Sequence, residues 1–418
     1  MTMNPFDERP LVLVMVGLPA RGKSFTARRI ARYTTWLGYR SKVFNVGSYR
    51  RARLGAGQKH TFFDPANAEG TFAREQMADE ALVDVLAWVA GGGEVAVFDA
   101  TNSTRERRAR VRARCEAAGV QVVMVELVCD DRSVIEKNVR VSKLKGPDYV
   151  GRDPEEAMRD FMARLDHYES VYETVDEPDA SWIRNVDLGR RIELNRIDGH
   201  LPSKLVVFLM NVHILPRAVY LTRHGQSTFN VAGRIGGDSS LAASGQRYAD
   251  NLSSWLNQEI DPANPLEVWT STLRRTVETG IHLGRPTRPW KLLDEIDAGA
   301  CDGMTYEEIA QRMPEEYGAR KSDKLRYRYP RGESYQDLIA RLEPVILELE
   351  RHREPVLIVG HQAVLRALYA YLTGEPAHKV PHLPIPLHTV IKLVPGGGGV
   401  PEERFELGPI DATDGGHG

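Results

Sequence analysis

The chain has 418 residues, which is long enough for two domains of ordinary size, each with its own hydrophobic core. Hydrophobic residues make up 42% and charged residues 27%, which is the balance of a soluble globular protein. The formal net charge of −2 provides no general attraction for nucleic acid or for anionic membranes, so any basic binding site must be local.

The apolar runs and the cysteines narrow the class of protein further. LVLVMV at Leu11–Val16 and LVVFLM at residues 205–210 are too short to span a bilayer. MTMNPFDERP at the N-terminus has no basic segment followed by an apolar one, so a secretory signal is not expected. Cys115, Cys129 and Cys301 are widely spaced without a CxxC, which argues against a disulfide framework or a zinc site. We expect a cytoplasmic enzyme.

The first half of the chain alternates strand and helix patterns. A buried strand is predicted at Leu11–Val16, and further strands near residues 41, 94 and 121, in SKVFNV, EVAVFDA and QVVMVELV. Helices are predicted in SFTARRIARYTTWLG, which stops at Gly38, and in REQMADEALVDVLAWVAGGG, which also ends at glycines. This alternation predicts a doubly wound α/β domain.

The second half restarts the same kind of pattern without repeating the first. AVYLT, LEVWT and PVLIVG, which begin at residues 218, 266 and 355, are predicted strands separated by amphipathic helices such as SYQDLIARLEPVILELERH. We predict the junction at MNVHILPR near Pro216, where an apolar strand gives way to a proline. The predicted domains are residues 1–215 and 216–418, and the glycine-rich tail is expected to fray after about residue 408.

A glycine-rich motif, GLPARGKS, directly follows the first predicted strand and opens a helix. It fits G-x-x-x-x-G-K-[ST], in which backbone N–H groups turn inward around phosphate oxygens at a helix N-terminus. In such a loop Lys23 reaches the β- and γ-phosphates and the Ser24 hydroxyl binds Mg²⁺. The alternative is a chance glycine turn. The motif positions predicted to bind nucleotide are Gly17, Leu18, Pro19, Ala20, Arg21, Gly22, Lys23 and Ser24.

A carboxylate and two arginine-rich segments also follow strands in this half. Asp99 ends the strand of EVAVFDA, where it could hold Mg²⁺ or orient an acceptor hydroxyl, although it or the following Thr101 and Asn102 could instead cap a helix. TRERRARVRAR (residues 104–114) is typical of a solvated helix face, but Arg107 could clamp an anion; YRRAR (residues 49–53) is similar. The nearly neutral chain and its scattered aromatics argue against nucleic-acid binding.

In the second half, AVYLTRHGQSTFN places Arg223 and His224 just past a strand, where active sites of open α/β sheets collect. A neutral imidazole is a competent nucleophile toward phosphorus, and the neighbouring arginine neutralises charge on the transferring group. We therefore predict that His224 accepts a phosphoryl group.

Three later segments converge on that prediction. VWTSTLRRT places Arg275 after another strand, LDEIDAG offers Glu295 as a proton donor to a leaving alkoxide, and LIVGHQAVLRAL places His361 past a third strand. The alternative for His361 is a structural histidine. Metal binding by the two histidines is less favoured, because their surroundings are rich in arginines rather than in further ligands.

With these residues in hand, the chain resembles the bifunctional 6-phosphofructo-2-kinase/fructose-2,6-bisphosphatase family from about Arg9 to Phe405. The motifs that carry the resemblance are, in order, VFDATNSTRERR, RHGQSTFNVAGRIGGDS, LDEIDAGACDGMTYEEI, YRYPRGESY and GHQAVLRALYAYL. The resemblance implies an α/β chain with a P-loop NTPase-type kinase domain followed by a histidine-phosphatase domain of phosphoglycerate-mutase type.

For the kinase half, the resemblance implies that the P-loop and Asp99 bind ATP and Mg²⁺, with Ser24 and Asp99 as metal ligands. The segment NVRVSK, from Asn138 to Lys143, matches the family's nucleotide-contact stretch. Cys129 matches its active-site cysteine; we interpret this cysteine as structural or positional, since a thiol has no step in direct phosphoryl transfer. The implied fructose 6-phosphate contacts are Arg50, Arg74, Thr101, Arg107, Lys143, Arg164 and Tyr168.

For the phosphatase half, the resemblance implies that His224 is phosphorylated, that Glu295 is the proton donor and that His361 stabilises the transferring group. The implied contacts with the sugar bisphosphate are Arg223, Asn230, Gly236, Arg275, Tyr306, Arg320, Lys324, Tyr335, Gln362 and Arg366. For the whole chain, the implied catalytic residues are Lys23, Asp99, Cys129, Lys143, His224, Glu295 and His361.

The implied function is synthesis and hydrolysis of fructose 2,6-bisphosphate, whose roughly four negative charges account for the many cationic site residues. The implied partners are that sugar and fructose 6-phosphate, and we expect a homodimer that binds neither nucleic acid nor membranes. Two alternatives remain: a chain in which only one half is active, and a non-catalytic sensor of ATP or sugar phosphate. A simple phosphoglycerate mutase is disfavoured because it has no need of the P-loop half.

Overall fold

The computed structural model describes residues 9–187, 189–213, 217–396 and 399–408. The contacts form two compact units, one from Met1–Thr35 and Tyr39–Ile214 and the other from Trp36–Gly38 and Leu215–Gly418. The predicted junction near Pro216, most of the N-terminal segment and the tail after residue 408 lie outside the described residues. Within the described ranges, no helix is both long enough and apolar enough to cross a membrane.

The first unit is built on a six-stranded sheet with the order β2-β3-β1-β4-β5-β6. Strands β1 to β5 run parallel and β6 is antiparallel to β5. The four predicted strands are present, and the α/β class is confirmed. The strands are β1 (Leu11–Val16), β2 (Ser41–Asn45), β3 (Val95–Asp99), β4 (Gln121–Val128), β5 (Trp182–Val186) and β6 (Arg191–Asn195).

Helices cover this sheet, and Gly38, with φ of +102°, follows the first of them as predicted. A short 3-10 helix at His60–Phe63 and a π-helical turn at Val139–Lys143 complete the unit. The helices are α1 (Lys23–Trp36), α2 (Val46–Leu54), α3 (Ala68–Ala90), α4 (Arg105–Ala117), α5 (Arg132–Asn138), α6 (Pro154–Glu169) and α7 (His200–Asn211).

The apolar strand predicted before the junction is wrong, because residues 205–210 lie in α7. The buried side chains Leu201, Leu205 and Phe208 recur at the helical spacing of four and three residues, whereas Val207 and Met210 are exposed. A continuous apolar run fits either a buried strand or a helix, and here the flanking residues extend it to the twelve-residue length of a helix.

The second unit has its own six-stranded sheet, with the order β12-β11-β7-β10-β8-β9. The strands from β7 to β9 in this order run parallel, while β11 is antiparallel to both of its neighbours. The strands are β7 (Val219–Arg223), β8 (Glu267–Thr270), β9 (Thr287–Pro289), β10 (Val356–Gly360), β11 (Thr389–Leu393) and β12 (Glu402–Glu406).

Seven helices among the described residues accompany this sheet, and short 3-10 helices lie at Lys291–Leu293, Gly299–Cys301 and Ala377–His382. The helices are α8 (Thr228–Val231), α9 (Ala243–Glu259), α10 (Arg274–Ile281), α11 (Tyr306–Arg312), α12 (Pro314–Ser322), α13 (Tyr335–Arg351) and α14 (Gln362–Thr373).

One arginine of α4 departs from the solvated face that the sequence predicts for most of this segment. The Arg108 side chain is fully buried, and its Nε donates to Glu177 at 2.7 Å. Its Nη1 donates to the Glu173 carbonyl at 2.7 Å, and its Nη2 to the Thr174 carbonyl at 3.2 Å. Arg108 therefore fastens the segment that follows α6 to the body of the first unit.

Replacing Arg108 with Ala is expected to lower the free energy of unfolding of the first unit by about 3 kcal/mol, because it removes a donor from one oxygen of Glu177 and from three carbonyls. Urea unfolding followed by circular dichroism measures the change. The matched control is Arg105→Ala on the same helix, since Arg105 is exposed and pairs with the exposed Asp176. Equal losses for the two variants would contradict the structural role assigned to Arg108.

Candidate active sites

The glycine-rich motif forms the loop between β1 and α1. Gly17 and Gly22 have φ of +131° and +87°, which glycine adopts far more readily than other residues. A Cβ on Gly17 would lie 2.5 Å from the Leu127 carbonyl oxygen of β4. The Gly17 N–H donates to the Thr101 carbonyl at 3.0 Å, which ties the loop to the chain just after β3.

Lys23, the first residue of α1, folds back over this loop. Its Nζ donates to the Leu18 carbonyl at 2.6 Å, and the side chain is buried. Burial lowers the pKa of Lys23 to about 7, although Asp99 favours the charged form. The amine is therefore desolvated and only partly charged near neutral pH, and a bound anion would favour its charged form.

The Ser24 hydroxyl and the Asp99 carboxylate share a hydrogen-bond donor at the end of β3, beside the loop. The Nδ2 of Asn45 donates both to Ser24 Oγ, at 3.4 Å, and to the buried carboxylate of Asp99. The register that pairs Asp99 with Asn45 and with Met15 brings these strand ends together. Asn45 was not predicted as a site residue; its position at the end of a predicted strand was the available signal.

A cationic cluster forms around Asp148, with Arg50 from α2 and Arg164 from α6. Asp148 accepts from Arg50, and its Oδ2 lies 3.9 Å from the Nη1 of Arg164. The guanidinium of Arg164 stacks 3.7 Å from the centre of the Phe63 ring. Arg50 Nη1 and Arg164 Nε are buried without a hydrogen-bond partner. The cluster can thus donate to a further anion, and neither Asp148 nor Phe63 was predicted.

The remaining predicted cations of this half lie near the same cluster. Arg74 donates to the Phe62 carbonyl at 2.7 Å, and burial lowers its pKa while Tyr168 favours its charged form. Arg107 is paired with Glu75 at 2.8 Å, and burial lowers its pKa too. Burial also lowers the pKa of Lys143, against the attraction of Asp99.

Three predicted residues are placed around the loop rather than among these cations. The Nδ2 of Asn138 donates to the Ala20 carbonyl at 3.1 Å and so supports the loop. Arg21 turns away to Glu169, 3.4 Å distant. Cys129 is buried, and burial raises the pKa of its thiol, which therefore stays protonated at neutral pH.

The second site lies at the carboxyl ends of β7, β8 and β10. Because Gly360 pairs with Arg223 across the sheet, the next residues, His361 and His224, leave it side by side, with ring centres 5.2 Å apart. A cavity of about 130 Å³ opens beside His224. The predicted residues that line it are Arg223, His224, Asn230, Gly236, Arg275, Glu295, Tyr306, Arg320, Lys324, Tyr335, Gln362 and Arg366.

The hydrogen bonds of His224 define its tautomer. Nδ1 lies 2.7 Å from the Gly225 carbonyl, to which it must donate, and Nε2 accepts from the Nε of Arg275 at 3.1 Å. Burial lowers the pKa of His224 well below its usual value, and Arg275 and Arg223 lower it further. The imidazole is therefore neutral, and the lone pair of Nε2 faces the Arg275 guanidinium at the wall of the cavity.

The loop that carries His224 is held by close backbone packing. The His224 N–H donates to the Gly360 carbonyl at 3.0 Å, and the Gly225 N–H donates to Thr279 Oγ1 at 3.0 Å. A Cβ on Gly225 would lie 2.3 Å from the Gly245 carbonyl oxygen at the start of α9. The nucleophile loop and α9 therefore meet backbone to backbone.

His361 is completely buried, and its Nε2 shares a hydrogen bond of 2.8 Å with Ser271 Oγ. Its Nδ1 is buried without a partner. Burial, Arg275 and His224 lower its pKa well below the usual value, so the ring is neutral. The bond to Ser271 fixes the ring and leaves Nδ1 available to a ligand; Ser271 was not predicted.

Glu295 lies at the wall of the cavity next to the first turn of α14. Its Oε1 accepts from the Ile296 N–H at 2.9 Å and from the Ala363 N–H at 3.3 Å. These two donors hold one oxygen in place at the edge of the cavity. The carboxyl group is therefore fixed in one orientation at the cavity wall.

The far wall of the cavity carries a second group of cations. Arg320 donates from Nε to Tyr329 at 2.8 Å and from Nη2 to Tyr306 at 2.9 Å, and Arg366 donates to Tyr335 at 3.2 Å. The pKa of Lys324 is lowered to about 8 by burial and by the nearby Arg320 and Arg366.

Asn230 is already partly committed to the local fold. Its Oδ1 accepts from the Ser227 N–H at 3.0 Å, in a capping box that closes the short helix α8. The amide can therefore offer the cavity only its Nδ2 hydrogens.

Comparisons with known proteins assign both units. A family model described as 6-phosphofructo-2-kinase matches residues 1–216, and one described as histidine phosphatase superfamily (branch 1) matches residues 219–406. A 6-phosphofructo-2-kinase/fructose-2,6-bisphosphatase of Arabidopsis thaliana is 49% identical over 411 residues, which cover 97% of this chain and 55% of that protein. The relative of the same name from Gallus gallus is 47% identical over 410 residues, 97% of this chain and 87% of that protein.

Among solved structures, the alpha-ribazole phosphatase from Shigella flexneri is 28% identical, with a TM-score of 0.39, and the match covers 42% of this chain and 89% of that one. This chain spans only about half the length of the plant relative but most of the length of the chicken relative. From the family models and these relatives, the chain belongs to the 6-phosphofructo-2-kinase/fructose-2,6-bisphosphatase family, with a kinase domain followed by a histidine-phosphatase domain.

Proposed function

We propose that this chain both synthesises and hydrolyses fructose 2,6-bisphosphate. The observation that carries the proposal is the presence, in one chain, of two sites ready for phosphate. One is a P-loop beside a desolvated Lys23, and the other is a neutral His224 facing a cavity lined by arginines. The names of the relatives supply the sugar substrate.

In the kinase half, the loop N–H groups and Lys23 bind the phosphates of ATP. The 2-hydroxyl oxygen of fructose 6-phosphate attacks the γ-phosphorus, the bond from this phosphorus to ADP breaks, and the hydroxyl proton is released to water. The unpartnered donors of Arg50 and Arg164 suit the 6-phosphate. Arg74, Thr101, Arg107 and Tyr168 are proposed to complete the sugar site. Cys129 serves the fold, because its thiol is buried and protonated.

Mg²⁺ is proposed to bind at Ser24 and Asp99. The oxygens of this pair suit a hard cation, and one Asn45 amide already bridges them. Among the described residues no cluster of three or more His, Cys, Asp or Glu could hold a metal. Phosphate oxygens and water are proposed as the further ligands. When bound, the cation neutralises charge on the β- and γ-phosphates.

In the phosphatase half, Nε2 of His224 attacks the 2-phosphorus, the bond from phosphorus to the sugar oxygen breaks, and Glu295 gives that oxygen its proton. Arg223, Arg275 and Nδ1 of His361 are proposed to hold the phosphoryl oxygens. Water then attacks the phosphorus, the bond from phosphorus to Nε2 breaks, Glu295 recovers its proton from the water, and phosphate is released. The cations around Lys324 suit the 6-phosphate at the other end of the sugar.

A cytoplasmic location and a homodimer are also part of the proposal, with no role for nucleic acid or membranes. The exposed edge strand β2 supports self-association, because it has a hydrogen-bonded neighbour only on its β3 side within the described sheet. Light scattering on the purified chain measures the mass, and a mass of one chain across micromolar concentrations would contradict the dimer.

The two activities should separate by mutation. Lys23→Ala is expected to abolish kinase turnover and leave the phosphatase intact, whereas His224→Ala should do the reverse. Coupled assays measure both rates, and fructose 2,6-bisphosphate labelled in its 2-phosphate tests for an acid-labile phosphoenzyme. Persistent labelling of His224→Ala would contradict the nucleophile. A wild-type chain that lacks one activity would identify a single-activity enzyme, and binding without turnover in either half would identify a sensor.

The pH dependence of the phosphatase activity should reflect the loss of a proton from Lys324. Because its pKa in the substrate-free site is about 8, the side chain is cationic below that pH and loses its charge above it. We expect kcat/KM for fructose 2,6-bisphosphate to fall as the pH rises through about 8, mainly through KM. Lys324→Arg keeps the charge and should remove this fall, and an unchanged profile in Lys324→Arg would contradict the assignment.

A further inference from the structure

A turn with two successive left-handed glycines separates Asp302 from the helix that carries Arg275. Gly236 and Gly237 have φ of +68° and +63°. A Cβ on Gly236 would lie 1.7 Å from Asp302 Oδ1, and one on Gly237 would lie 2.4 Å from the Phe229 ring. The backbone of the turn is therefore packed directly against the side chains of Asp302 and Phe229, which restrict its conformation.

Hydrogen bonds run without a break from Asp302 to the proposed nucleophile. Asp302 Oδ1 accepts from the Gly237 N–H at 2.8 Å, and the Gly237 carbonyl accepts from Nη1 of Arg275 at 2.7 Å. Nε of the same guanidinium donates to Nε2 of His224 at 3.1 Å. The Arg275 guanidinium is thus fixed at two atoms: Nη1 is held by the glycine turn and Nε by the imidazole.

The segment that carries Asp302 is itself fastened to the turn. The Ile235 N–H donates to the Met304 carbonyl at 3.0 Å, and the Gly303 N–H donates to the Ile235 carbonyl at 2.9 Å. On the other side, Asp238 Oδ1 accepts from the Arg274 N–H at 2.7 Å, at the first residue of α10. Displacement of the turn would therefore move the start of α10.

We propose that Asp302 is a positioning residue for the phosphohistidine step. By accepting from Gly237, it orients the carbonyl that holds the Arg275 guanidinium against His224, although its own carboxylate does not touch the nucleophile. Orientation matters here because Nε of Arg275 engages the same lone pair that must attack phosphorus, so a small rotation alters both the nucleophile and its electrostatic support. This inference rests on the proposed role of His224.

The test compares Asp302→Ala, which removes the acceptor, with Asp302→Asn, which keeps an acceptor oxygen and removes only the charge. Rapid-quench labelling with fructose 2,6-bisphosphate should show phosphoenzyme formation roughly three- to tenfold slower in the Ala variant, the effect of losing one hydrogen bond, with KM little changed. In the substrate-free enzyme, the nitrogen NMR signal of His224 Nε2 should shift in Asp302→Ala. The Asn variant should match the wild type in both measurements.

Asp261→Ala is the matched control, because Asp261 also accepts a backbone N–H, that of Ala263 at 2.8 Å, in an exposed turn of the same unit. It should leave the labelling rate and the NMR signal unchanged. The kinase activity of each variant reports the integrity of the rest of the chain. If Asp302→Ala fails to fold, Asp302→Ser takes its place, since the shorter side chain cannot reach Gly237, and the same losses are expected.

A wild-type labelling rate and an unshifted signal in Asp302→Ala would overturn the inference. Equal losses in Asp302→Asn and Asp302→Ala would also overturn it, because the charge rather than the hydrogen bond would then be responsible. Failure of the proposed function looks different: His224→Ala would still form the acid-labile phosphoenzyme, whatever the Asp302 variants did.

Discussion

Burial of cationic and imidazole groups is the physical constraint on which both sites depend. Removing charge from water is unfavourable, and here it lowers the pKa of Lys23, Lys324 and His224. A phosphate that enters either site supplies the missing negative charge in a region of low dielectric constant, where the attraction is strongest. The folded protein therefore carries an unfavourable electrostatic arrangement that its substrates relieve.

The buried arginines of the two units have different hydrogen-bond partners. In the kinase unit, carboxylates hold the arginines, as Asp148 holds Arg50 and Glu75 holds Arg107. In the phosphatase unit, tyrosine hydroxyls accept hydrogen bonds from Arg320 and Arg366. A hydroxyl orients the guanidinium but does not neutralise its charge. In the phosphatase cavity Arg320 and Arg366 therefore keep neutral partners, whereas Arg275 lies near carboxylates such as Glu295.

Much of this architecture could be predicted from the sequence, and the failures have physical causes. Strands such as β1 and β10 can be predicted because they are continuous apolar runs next to glycine. Most of the candidate site residues can be predicted because they directly follow such strands. The run in α7 has no periodicity that separates strand from helix, so it was misassigned. Strands β5 and β6 carry polar residues on their exposed faces and were not recognised.

The site residues that the sequence did not predict are those that position other site residues. Asn45, Asp148, Ser271 and Asp302 act through hydrogen bonds between segments far apart in the chain. Ser271 and Asp302 lie inside the motifs VWTSTLRRT and LDEIDAGACDGMTYEEI, but the sequence does not show which residues they contact, because their partners are set by strand register and by turns. Such contacts become visible only once the fold has brought the strand ends together.

The backbone contact between Gly225 and Gly245 has a consequence for how this protein can vary. Neither glycine offers a side chain to a substrate, yet a methyl group on Gly225 would overlap the carbonyl at the start of α9. The position of His224 therefore depends on a helix that does not line the cavity. A methyl group on Gly245 would likewise lie 2.2 Å from the Gln226 carbonyl oxygen, so a larger residue at the start of α9 would displace the loop that carries His224.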